Sequence, residues 1–197
     1  MFNILLPSLV DGLLLGFVYG LAAMGLSLIW GVMNVINLAH GPIIALGMFG
    51  IYFAFNLLGL NPYLALILVA IAGLLLGVLI YYVAVQRVLN APHLSTLLAT
   101  FSVNMILIGV GTAIFSVSPY NVDFSLGSVD LGPIRFLWTR IAAALAALVV
   151  TGLLYAFLFR TRAGKNIRAV ANNRVAAELM GIPSSRVLAL SLSLIHI

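Results

Sequence analysis

The side chains able to do acid–base or metal chemistry are few. The acids are Asp11, Asp123, Asp130 and Glu178, and the histidines are His40, His93 and His196. They are scattered, and none of the acids falls in the middle of an apolar run. The histidines lack the i, i+4 or paired spacing that holds a metal. With no cysteine, thiolate metal sites and disulfides are excluded. No Gly-x-x-x-x-Gly-Lys-Ser/Thr loop is present to cradle a nucleotide phosphate. The pattern points away from catalysis, and no cofactor is expected in this chain.

Polar residues do cluster in three places. In Gly31–Gly41, Asn34, Asn37 and His40 recur every third residue, which puts them on one face if that stretch is helical. Gly41-Pro42 follows, so the segment reads as a broken helix or a re-entrant turn at a membrane edge. It is either a capped interfacial turn or part of a polar cavity or gate. Thr96, Thr100 and Asn104 form an i, i+4, i+8 stripe that either bonds between helices or lines a polar pathway. The third cluster, 160–186, holds Arg160, Arg162, Lys165, Arg168, Arg174 and Arg186, with Glu178 its only acid. Its charge of +5 equals that of the whole chain.

The elements that position these groups are set by composition. The chain is 64% hydrophobic and 7% charged, against about 25% charged in a soluble domain. Apolar runs of about 20 residues cross a bilayer as helices, and strands of a barrel would alternate instead. The expected fold is an all-α polytopic transmembrane bundle forming one domain over 1–197. Five spans are expected, near Gly12–Met33, Pro42–Leu58, Tyr63–Val85, Leu94–Val117 and Arg140–Phe159. The first is read as a retained span rather than a signal peptide. Ser118–Thr139 is polar and turn-rich, with Gly132 and Pro133. A sixth run, Val187–Ile197, has eleven residues, too few to span. The sequence is therefore expected to be a fragment ending inside span six, and whether Ser191–Ile197 is native is left open by the residues.

Lys and Arg resist translocation, so the basic loop 160–186 is expected on the cytoplasmic side and the N-terminus outside. The basic charge argues membrane location and not nucleic-acid binding. Within the loop, Ile167, Val170, Ala171, Arg174, Val175 and Leu179 recur at three and four residues, which predicts one amphipathic helix stopped by Gly181 and Pro183. From periodicity alone, that helix either lies on lipid headgroups or docks into a partner's groove. Gly12, Gly16 and Gly20, and again Gly73 and Gly77, are spaced for close helix packing.

Two blocks resemble a known family. DGLLLGFVYGLAAMGLSLIWGVMNVINLAHG and TRAGKNIRAVANNRVAAELMGI are similar to the membrane permeases of bacterial ATP-binding-cassette (ABC) importers for branched-chain amino acids. The resemblance runs from about Asp11 to Leu190 and is closest to the first of the two paired permeases. It implies cytoplasmic ATPase subunits, a second permease subunit, an extracytoplasmic substrate-binding protein and alternating access in the inner membrane. It also implies that the loop helix is a coupling helix docked on the ATPase. Of the coupling pattern Glu-Ala-Ala-x-x-x-Gly, Ala176, Ala177 and Gly181 match, and Val175 stands where the Glu belongs. Arg174 adjoins them. The alternatives are a sibling permease for urea or short amides, an ion-coupled carrier, and a non-transporting membrane scaffold.

Overall fold

The computed structural model describes residues 2–116, 120–131 and 134–194. Val117, Ser118, Gly132, Pro133 and His196, named above, lie outside them. The long helices are α1 (Phe2–Met33), α2 (His40–Leu58), α3 (Pro62–Ile80), α4 (His93–Phe115) and α5 (Trp138–Arg160). Each is long and apolar enough to cross a membrane, with the third span running on to Val88. At 1.5 Å rise per residue, about 20 residues match a hydrocarbon core of about 30 Å. The protein is a multi-pass helical membrane protein.

Most boundaries lie within two residues of expectation, while the end of the third span, the start of the first and the segment after the fourth differ more. The first helix begins at Phe2 and carries Asp11 within it. The Asp11 carboxylate is paired with the Arg140 guanidinium at 2.5 Å, which offsets the cost of a charge near lipid. The polar segment after α4 folds into an antiparallel hairpin, β1 (Ser128–Leu131) with β2 (Ile134–Leu137), Ser128 opposite Leu137. That hairpin is an addition to the all-helical expectation.

The chain divides into two compact units, Met1–Met24 with Asp123–Gly164, and Gly25–Val122 with Lys165–Ile197. The first holds the Asp11–Arg140 pair and the hairpin, which leads directly into α5. In the second, α3 packs against α2 and against α8 (Ser184–Leu194). α8 is the best-buried helix there, with Val187, Leu188, Ala189 and Leu192 inside. α3 continues as a π-helical turn, Tyr81–Val85, and a 3-10 turn, Gln86–Val88.

The connections of the second unit gather at two ends. At one, the α1–α2 break and the start of α4 share a cavity. There too the α3–α4 connection meets the basic segment, through Gln86 to Ser185 at 3.2 Å and Arg174 to Asn90 at 3.5 Å. At the other, Phe49 stacks on Phe115 at 4.4 Å between ring centres, with Tyr52, Phe53 and Tyr120 around them.

The glycines differ in what surrounds them. A Cβ built at Gly12, Gly16 or Gly20 has nothing within 4 Å, so that face of α1 is open among the described residues. Gly77 is buried on α3 and Gly73 half-buried. Gly47 and Gly50 on α2 instead receive Val69 of α3, with a Cβ at Gly50 only 3.0 Å from the valine methyl. Gly50→Leu is therefore expected to cost about 1–3 kcal/mol by overpacking, whereas Gly16→Leu stays near neutral. Thermal unfolding of the two variants in detergent checks the contrast.

Candidate functional site

The basic segment folds as two helices, where one was expected. α6 (Arg162–Asn172) and α7 (Arg174–Leu179) are separated at Asn173, whose backbone is extended at φ −156° and ψ 102°. The Asn173 side chain accepts the Ala176 N–H at 3.0 Å and so caps α7. The break turns the two apolar sets to different sides. Ile167 and Val170 on α6 are buried, but Val175, Leu179 and Met180 are 68%, 84% and 82% exposed.

α7 ends at Gly181, whose φ of +81° suits glycine. The Ile182 N–H reaches back to the Ala177 carbonyl at 3.0 Å and closes the turn. Of the expected coupling residues, Val175, Ala176 and Gly181 are exposed and Arg174 is half-buried. Ala177 is buried at 4% exposure, so it packs the segment and presents nothing outward. Leu179, part of the expected amphipathic face, and Met180 beside it are the prominent outward groups. Their signal was an apolar pair directly before a helix stop.

Glu178 ties the segment together. It accepts the Ser184 hydroxyl and, at 3.1 Å, the Arg174 Nε–H, while Arg174 also reaches Asn90. The Ser184 hydrogen bond, then that from Arg174, hold its carboxyl below the ordinary value. α6 begins at a tight corner. The Thr161 hydroxyl donates to the Phe157 carbonyl and accepts the Gly164 N–H. A Cβ at Gly164 would strike the Phe157 carbonyl oxygen and lie 2.5 Å from Leu158 Cα. Only glycine allows α6 to press so closely on α5.

The second cluster lies at the α1–α2 break. Residues 34–37 are not helical, so Asn34, Asn37 and His40 do not form the expected single helical face. Asn34 adopts φ +53° and its N–H still closes the last turn of α1 on the Trp30 carbonyl at 2.9 Å. Asparagine tolerates this region better than most residues. Asn37 is buried and its side chain accepts the Ala39 N–H at 3.1 Å. His40 and Gly41 open α2, with His40 half-buried and Gly41 exposed.

The freed carbonyl of Ile36 is taken by Thr100 of α4, fully buried, at 2.9 Å. Thr96 bonds the His93 carbonyl of its own helix at 2.8 Å. Asn104 is half-buried further along α4. Beside the break lies a cavity of about 180 Å³, bounded by Trp30, Asn34, Ile36, His93, Leu94, Thr96 and Leu97. The break is thus both capped and cavity-lined. Among the described residues no His, Cys, Asp or Glu cluster could hold a metal.

A family model described as branched-chain amino acid transport system / permease component matches residues 8–195. The chain belongs to this family. It is 27% identical to the high-affinity branched-chain amino acid transport system permease protein BraD of Pseudomonas aeruginosa, over 94% of this chain and 65% of that protein. It is 30% identical to the probable branched-chain amino acid transport permease protein LivH of Methanocaldococcus jannaschii, over 82% of this chain and 53% of that protein. LivH of Escherichia coli is 26% identical over 94% and 65% of the two chains. The permease chain thus spans about two thirds or less of the length of these relatives. No solved structure matches it.

Two outcomes follow. Thr100→Val leaves the Ile36 carbonyl without its side-chain donor and is expected to cost about 1–3 kcal/mol, while Thr100→Ser stays near neutral, both read by thermal unfolding. A carboxyl whose folded pKa is lowered adds stability above its ordinary range, and that contribution fades as pH falls through the lowered value. Hydrogen-exchange protection at the α7–α8 junction is therefore expected to drop as pH falls below the ordinary carboxyl range. Glu178→Gln should flatten that dependence.

Proposed function

We propose that this chain builds the transmembrane pathway of an ABC importer permease subunit for branched-chain or related hydrophobic amino acids. It sits in the bacterial cytoplasmic membrane, with the basic 160–186 loop inside and the N-terminus outside. Uptake is by ATP-driven alternating access, and a separate cytoplasmic subunit hydrolyses the ATP. A second permease subunit and an extracytoplasmic binding protein complete the transporter. The amino-acid specificity rests on family membership and on what the relatives are named for.

The observation that carries this reading is the ridge of Val175, Leu179 and Met180, exposed on a six-residue helix in a basic loop. Adjacent exposed apolar side chains on a polar surface mark an interface. A helix of one and a half turns is too short to lie stably on lipid, but it suits insertion into a partner's groove. Arg174, Val175, Ala176 and Gly181 frame the ridge, with Ala177 packing beneath. Movement of the ATPases against it is passed to the spans through the Arg174–Asn90 and Gln86–Ser185 contacts. The translocation path is assigned to the α1–α2 break and the facing stripe of α4: Asn34, Asn37, His40, Gly41, Thr96, Thr100 and Asn104. Unwound backbone at membrane depth is tolerated where it meets protein or a cavity, and here it meets both. The open glycine face of α1 is a packing surface for a further helix.

The intact transporter in proteoliposomes tests the docking. Leu179→Asp with Met180→Asp is expected to lower ATPase association and leucine uptake at least about tenfold, while Val175→Glu, restoring the family's acid, retains both. Unchanged association and uptake in the double variant would sink the reading. Uptake of labelled urea in place of leucine would move the substrate to the short-amide alternative.

A further inference from the structure

The corner where α5 gives way to α6 carries exposed groups that ATPase docking through α7 does not use. Arg160 is the last residue of α5, and Arg162 and Lys165 stand on the first turn of α6. All three are exposed, and none takes an ion pair among the described residues. Glu178, the one acid of the loop, is already engaged by Arg174 and Ser184. The opposite side of α6 is turned inward through Gly164, Ile167 and Val170.

Depth in the membrane is fixed by the same corner. α5 is an apolar span of 23 residues ending at Arg160. The contact of Gly164 with the backbone of Phe157 and Leu158 presses the start of α6 onto the last turn of that span. The two arginines are therefore held within about one helical turn, roughly 5 Å, of the hydrocarbon boundary. Just inside that boundary, Tyr155 and Phe159 pair at 4.5 Å between ring centres and stay 63% and 45% exposed. Aromatic rings below and cations above form the pattern of a headgroup-level anchor.

We propose that Arg160 and Arg162, where α5 gives way to α6, bind the phosphate headgroups of anionic phospholipids, so that this corner serves the membrane surface while α7 serves the ATPase. The partner is lipid because the cations sit at headgroup depth above exposed aromatic rings, and no acid among the described residues pairs with them. Each cation near an anionic surface adds attraction that is screened by salt. This assignment needs α5 to span the bilayer and is independent of whether α7 docks.

The test uses the whole chain in phosphatidylcholine nanodiscs, with spin-labelled phosphatidylglycerol or spin-labelled phosphatidylcholine as the probe. Phosphatidylglycerol is expected to associate at least about threefold more strongly at low salt. The preference should fall toward one in R160Q/R162Q and in about 0.5 M KCl. R160K/R162K should keep it, because a headgroup reads charge and not the guanidinium fork. Equal association of the two lipids with the unaltered chain overturns the proposal, as does a preference that survives the double glutamine substitution. A preference lost in the lysine variant also overturns it and points to an arginine-specific protein contact.

Discussion

A peptide group in hydrocarbon has no water to bond, so each must find its partner inside the protein. The rest of this structure follows from that constraint. Apolar stretches become uninterrupted helices because the helix satisfies its own backbone. At the α1–α2 break, side chains take over: Asn37 receives one N–H and Thr100 donates to one carbonyl. The same logic selects the polar residues allowed inside. Thr96, Ser191 and Ser193 are short hydroxyl residues that return their proton to the backbone of their own helix. A longer polar group at those sites would need a partner that the neighbouring helices do not carry.

Where the chain leaves the membrane, the constraint relaxes and connections begin to hold one another. Gln86 with Ser185, Arg174 with Asn90, and Glu178 with Ser184 bind α7 and α8 to the end of the third span. The π-helical turn Tyr81–Val85 comes immediately before that junction. Such a turn has wider hydrogen-bond rings than the α-helix and is costlier to hold, so it is where a span yields first when its end is pulled. Tyr81 and Val85 are both buried, which keeps the turn seated against α4 and α8.

The spans were legible because hydropathy over about 20 residues leaves little freedom in a bilayer. What escaped depended on groups far apart in the chain. Asp11 looked like the edge of the first span, since nothing nearby announces Arg140 as its partner. Thr100 and Ile36 lie 64 residues apart, and no local pattern links them. Gly12, Gly16 and Gly20 have the right spacing for packing, yet spacing does not say whether a neighbour arrives; at Gly50 it is Val69 that does. The Asn173 break was visible in principle. Asparagine competes with the helix for its own backbone and caps the next one, a signal weaker than the 3.6-residue apolar period that runs across it.

That break decides what the loop can be. In one unbroken helix, Ile167, Val170, Val175 and Leu179 share a side and face the same surroundings. If that side faced inward, the loop would be anchored and would show nothing to a partner. If it faced outward, Ile167 and Val170 would lose their burial. Extending one residue lets the first pair stay buried while Leu179 and Met180 turn out. Burial and exposure become separate properties of adjacent helices. The contacts of α7 and its turn with Asn90 and Ser184 then tie the exposed pair to the end of the third span.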